Sequence, residues 1–187
     1  MKSFVIKPLS IALLAATLAA CSMNAPAPSA SAAKAAQAAL NNDDWYQVWT
    51  ESEAVIFDDR AVYIDYLKTG KAPYMKDLGT KDNFGRSIIL GLRAEDKGKD
   101  INTLTAKRFL DVNLPPATDF YGEIRQDNKI FVFQRYGDMK DTMALGAPIF
   151  SYMELGGGPN GERLVFALIK EEKKPEDLIK KFHTLNR

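Results

Sequence analysis

The chain is poor in the residues that most enzymes and metal proteins depend on, with one cysteine and one histidine in 187 positions. A lone cysteine, Cys21, excludes an intrachain disulfide and any multi-cysteine metal site. A lone histidine, His183, excludes a histidine cluster, and as the base of a triad it would have no cysteine nucleophile to serve. Near the end of a C-terminal helix its charge suits the helix dipole, so a surface position is expected. Also missing is an excess of one charge: 25 Lys and Arg face 24 Asp and Glu, a formal net of +1. The basic residues are interleaved with acids, which excludes the clustered basic face that nucleic acid requires. The densest charge run, KEEKKPEDLIKK at 170–181, reads as the solvated side of a helix start.

Long apolar runs are scarce too. The stretch from Pro8 to Ala20 is broken only by Ser10 and Thr17. As a helix it rises about 20 Å, short of the ~30 Å hydrocarbon core, so it is not expected to be a permanent membrane span. Acids at calcium-loop spacing are lacking as well, since YGDMKDTM offers only Asp138 and Asp141. No metal site is expected.

One motif points to a cofactor on its face. LGGGPNGERL places Gly156, Gly158 and Gly161 at GxGxxG spacing. A dinucleotide site needs a strand before that loop and a helix after it, whose N-terminus faces the pyrophosphate. Here Leu164 to Ile169 reads as a strand, and Pro159-Asn160-Gly161 is turn chemistry. Glu162 and Arg163 stand where a phosphate loop would carry Lys and Ser or Thr. The glycines therefore read as a loose hairpin loop, with no nucleotide and no cofactor expected.

What the chain does have begins at its first residue. MKSFVIKPLSIALLAATLAACS carries two lysines, an apolar stretch and small residues, the layout of a secretory signal peptide. Leu18, Ala19, Ala20 and Cys21 resemble the lipobox of bacterial lipoproteins, over these four positions only. The resemblance implies a diacylglyceryl thioether on Cys21, cleavage between Ala20 and Cys21, and a further acyl chain on the freed amine. At about 0.8 kcal/mol per buried methylene, several chains make such an anchor effectively permanent. By the same resemblance Ser22, where an inner-membrane lipoprotein would carry Asp, implies outer-membrane residence. Removing Lys2 and Lys7 with the leader leaves 23 basic against 24 acidic residues, a net of −1.

Three segments follow: a leader at 1–20, a lipidated cysteine and tether rich in Ala, Pro and Ser at 21–41, and a single globular domain at 42–187. The tether's composition buries too little apolar surface to offset its ordering entropy.

Within the domain, FYGEIRQDNKIFVFQRYG predicts a hairpin about a type I′ turn at Asp127-Asn128, with Ile124 opposite Phe131 and Gly122 opposite Phe133 on the core face. Arg125, Glu123 and Gln134 are expected on the other face. PIFSYMEL and ERLVFALIKE predict a second hairpin around the glycines. EAVIFDDRAVYIDYL reads as a third hairpin about Asp58-Asp59-Arg60, with a helix from Asp59 as the alternative. SIILGLRA is a buried strand, INTLTAKRFLDV a short helix, and Pro175 to Leu185 an amphipathic helix with Leu178, Phe182 and Leu185 on one face. The fold expected is α+β, a mainly antiparallel sheet built from hairpins with helices on one face and no internal repeat.

Among functional candidates, Asp43-Asp44 and Asp58-Asp59 supply the carboxylate pairs a wall hydrolase would need, although acids at element ends usually serve as caps and turns. Trp45, Tyr46 and Trp49 offer a surface for a partner, since Trp and Tyr dominate binding hot spots. The reading is a non-catalytic binding or accessory module at the bacterial outer membrane, on the periplasmic side or the cell surface, with an envelope protein as partner. The alternatives are an envelope hydrolase with paired carboxylates and a carrier of a small apolar ligand.

Overall fold

A computed structural model describes residues 42–170 and 173–187. Cys21, Ala20 and the leader and tether assignments lie outside the described residues. No helix among the described residues is long and apolar enough to cross a membrane.

Eight strands form one sheet: β1 Asp44–Trp49, β2 Glu53–Phe57, β3 Tyr74–Lys81, β4 Ser87–Leu92, β5 Tyr121–Gln126, β6 Lys129–Phe133, β7 Phe150–Glu154 and β8 Arg163–Leu168. Their spatial order is β3-β4-β2-β1-β5-β6-β8-β7. Among the described residues four α-helices accompany them: α1 Arg60–Thr69, α2 Thr105–Leu110, α3 Tyr136–Leu145 and α4 Glu176–Leu185. The α+β class expected from the sequence holds, but the sheet is mixed rather than mainly antiparallel. Each hairpin pair is antiparallel, whereas β1 runs parallel to β5, β2 to β4 and β6 to β8.

The expected third hairpin at residues 53–67 is instead strand β2 followed by α1. The Asp59 carboxylate accepts hydrogen bonds from the backbone N–H groups of Ala61 and Val62, and Gly70 closes the helix at φ 69°. A capping side chain before the run and a left-handed glycine after it outweigh the strand preference of Val62, Tyr63 and Ile64. The hairpin at 121–133 forms with the expected pairs Ile124–Phe131 and Gly122–Phe133. Its turn differs, because only Asp127 takes positive φ, at 51°, and a type I′ turn needs two such residues.

Helices cover both faces, which corrects the single core face expected. On the front face Trp45, Ile56, Phe131 and Phe133 pack with Phe109 of α2 and Tyr136 and Met139 of α3. On the back, Tyr46, Phe57, Val132 and Phe166 pack with Tyr63 of α1 and Phe182 of α4. A strand buried on both sides reads as a continuous apolar run, as VIF and LVFAL do.

The chain is also an internal duplication, which the sequence reading did not find. Strand β6 starts 76 positions after β2 (129 − 53 = 76), and α3 follows α1, β7 follows β3 and β8 follows β4 at the same offset. Each half reads ββαββα, and the halves meet at the parallel β1–β5 pair. Since α1 lies on the back and α3 on the front, the halves are related by a pseudo-twofold axis in the sheet, along the strands. The shift exchanges faces: front-facing Ile56 corresponds to back-facing Val132, and back-facing Phe57 to front-facing Phe133.

Candidate functional site

The pseudo-twofold gives each half a buried polar residue at the middle of its inner strand, Gln47 on β1 and Glu123 on β5, 1% and 0% exposed. Glu123 is the hub of a closed network on the back face. Its carboxylate accepts hydrogen bonds from Tyr63 Oη at 2.8 Å, Tyr121 Oη at 2.7 Å and Asn186 Nδ2 at 2.8 Å. Arg125 donates from Nε to Tyr63 Oη at 2.6 Å and from Nη2 to Asn186 Oδ1 at 3.0 Å, and forms an ion pair with Glu162 at 3.3 Å. Burial, then the adjacent Glu123 carboxylate, push both tyrosine hydroxyls well above their ordinary range, so they remain donors. Burial alone would raise Glu162, but hydrogen bonds from Asn160 and the charge of Arg125 outweigh it and hold its carboxyl low. Such a network, bonded throughout, locks α1, β5, the β7–β8 loop and α4 together.

At the equivalent place on the front face the polar groups are fewer and the space is open. Gln47 Oε1 accepts from Trp49 Nε1 at 2.7 Å, and Gln47 Nε2 sits 3.2 Å from the Met143 sulfur. Arg86 lies 3.9 Å above the centre of the Trp49 ring and pairs with Asp82 at 2.6 Å. Beside Gln47 and Trp49 runs a groove of about 280 Å³ between α2, α3 and the β3–β4 loop, with Trp49, Ile56, Tyr136 and Met143 on its walls. Phe84 on that loop reaches towards the end of α3, where a Cβ at Gly146 would come within 3.1 Å of its ring.

The sheet's two outer strands are dissimilar. β3 is charged along its length, with Lys76, Asp77 and Lys81, and its pairing with β4 shifts register between Asp77 and Lys81. β7 is regular, and Phe150 and Met153 on it are 39% and 57% exposed, flanked by exposed Ile149, Leu155 and Ile169. Natural edges are usually blunted by charges or bulges; β3 is and β7 is not.

The residues singled out from the sequence fall as follows. Trp45, Tyr46 and Trp49 are 0%, 1% and 3% exposed and point to opposite faces, so the strand does not present them as one surface. The physical reason is that β1 is a central strand with helices on both sides, and Trp49 borders a groove. Asp59 caps α1, Asp58 accepts from the N–H of Ala106, and Asp44 accepts from Tyr46 Oη at 2.9 Å. Burial, opposed by that bond and reinforced by Asp43, Asp59 and Asp58, lifts the Asp44 carboxyl to about 7. Asp44, Asp58 and Asp59 thus hold up local structure, while Asp43 is exposed. His183 is exposed, 3.9 Å from Glu154, as expected of a surface histidine. Gly156, Gly158 and Gly161 lie in the β7–β8 hairpin, with a strand after them. The sequence reading placed Glu123 and Arg125 on an outer face and missed their burial, along with Asn186 and the groove, because the helices that cover that face come from distant parts of the chain. Compared with protein-family models, curated proteins and solved structures, the chain matches none.

Proposed function

We propose that the protein is a lipid-anchored, non-catalytic binding module of the bacterial outer membrane that holds an extended, apolar segment of another envelope protein along β7. The lipobox at Leu18 to Cys21 supports the location. The observation that carries the activity is the contrast between two equivalent edges of one duplicated sheet. Where β3 has Asp77, β7 has Met153, and where the β3 edge has Gly79, the β7 edge has Leu155. An unpaired row of backbone N–H and C=O groups accepts an incoming strand, and the apolar side chains beside it supply the area that holds it. Three of the four carboxylates a hydrolase would use, Asp44, Asp58 and Asp59, are bonded to Tyr46 or to backbone, which favours binding over the enzyme reading.

Site-specific photo-crosslinking in intact cells tests this. A probe at Met153 or Leu155 is expected to give one defined adduct with another envelope protein. That adduct should fall at least tenfold on Ser151→Lys, while a probe at Lys76 on the opposite edge gives none. Equal adducts from both edges, or an adduct only to a second copy of the chain, would refute the reading.

A further inference from the structure

The duplication places two equivalent spaces against the sheet, and only one of them is filled. On the back, Arg125, Glu162 and Asn186 occupy it and bond to one another. On the front, the position of Arg125 is taken by Trp49 and that of Glu162 by Arg86, whose guanidinium carbon lies 3.9 Å from the centre of the Trp49 ring, and a groove opens beside Trp49. Helix length adds to this. α4 runs from Glu176 to Leu185 and brings Asn186 into the network, whereas α2 stops at Leu110 after six residues and only borders the groove.

The walls are apolar and aromatic, and the rim is cationic. Lys81 and Lys140 line it from opposite sides, from β3 and α3. The one carboxylate among the lining residues, Asp82, is bonded to Arg86 at 2.6 Å. Hydrogen bonds and the Arg86 charge hold Asp82 below the usual carboxylate range against the opposing effect of burial, so it stays with that partner. A volume of about 280 Å³ lies just below the usual range of small-molecule sites, about 300 to 1,000 Å³, which suits a small ligand.

We propose that this front groove is a binding site for a small anionic amphiphile, with its apolar body against Trp49, Ile56 and Met143 and its anionic head between Lys81 and Lys140. The amide of Gln47 at the floor, already bonded to Trp49, leaves the deep end without a free charge for a polar ligand to seek. Charge complementarity at the rim selects the sign of the head, and the shallow apolar walls select a short or medium alkyl chain. This site is separate from the β7 edge and does not depend on the proposed role of that edge.

The test uses residues 42–187, which contain the whole sheet and both cores, with the change in tryptophan emission as reporter, Trp49 being the tryptophan that lines the groove. Decanoate is expected to bind saturably, and decyltrimethylammonium at least tenfold more weakly. Lys81→Glu with Lys140→Glu should reverse that order. Ala144→Phe, at an exposed position on the groove wall, should abolish decanoate binding while far-UV dichroism and the melting temperature stay unchanged. Should Ala144→Phe disturb the fold, Ala144→Leu gives the same readout with less bulk. Equal binding of the two amphiphiles, or decanoate binding that survives a filled groove in a folded protein, overturns the proposal.

Discussion

Residue by residue, the buried charges of the back face separate two kinds of substitution. Glu123 is fully buried and its carboxylate is bonded by Tyr63, Tyr121 and Asn186, with Arg125 Nη2 at 3.4 Å. Removing one partner of a buried pair leaves a desolvated charge, so Arg125→Met should destabilise by about 3–5 kcal/mol, measured by urea unfolding. Arg125→Met combined with Glu123→Gln should cost less than Arg125→Met alone, because the orphaned charge has gone. The half-buried Asp44 gives a pH signature of its own. Its carboxyl, 3.8 when unperturbed, is raised by burial to about 7. Between those values the folded chain holds a proton that the unfolded chain has lost, so this group's contribution to stability falls as pH rises from about 4 to 7. Asp44→Asn keeps an acceptor for Tyr46 and removes the titration. It should raise stability at pH 8 relative to pH 5, by an amount of order a few kcal/mol, seen in melting temperatures across the range.

Between elements, close approach limits what the sheet tolerates. A Cβ on Gly91 of β4 would lie 2.1 Å from the Phe57 ring, while one on Gly122 of β5 would lie 2.6 Å from the Met139 sulfur. A buried ring on the neighbouring strand cannot yield, whereas a thioether can swing aside. Gly91→Ala should therefore cost about 2–3 kcal/mol and Gly122→Ala about 1 kcal/mol or less in chemical denaturation. The same level shows which elements the sequence reveals. β5–β6, β7–β8 and α4 are legible, because turn residues bracket β-rich runs in the first two and Pro175, Glu176 and Asp177 open an apolar stripe in the third. α1 is misleading: Val62, Tyr63 and Ile64 favour strand locally, and Asp59 and Gly70 decide the matter through caps. α3 is obscure, since YGDMKDTMAL buries only Tyr136, Met139 and Thr142 and has no side-chain cap at its start. Glu123 and Arg125 look like a solvated strand face until α1 and α4 are seen to cover it, and such cover is a tertiary fact that no local period encodes.

For the molecule as a whole, the duplication hides in the sequence because packing constrains size and polarity rather than identity. At the 76-residue shift, identical pairs such as Phe57 and Phe133, Gly70 and Gly146 or Gly85 and Gly161 are isolated, while Gln47 faces Glu123 and Trp49 faces Arg125. The halves nonetheless do not act as separate domains. The front core joins Trp45 and Ile56 of the first half to Phe131, Tyr136 and Met139 of the second, and the back core joins Phe57 and Tyr63 to Val132, Phe166 and Phe182. Neither half can bury its own faces alone, since each borrows a helix from the other across the β1–β5 seam. Unfolding should therefore be a single cooperative transition despite the repeat. The two tryptophans, Trp45 and Trp49, both lie in the first half, so their fluorescence follows that half while far-UV dichroism follows the entire sheet. The two probes are expected to give coincident urea midpoints and slopes. A fluorescence transition that precedes or trails the dichroism would mean that the halves melt independently and that the shared cores do not couple them.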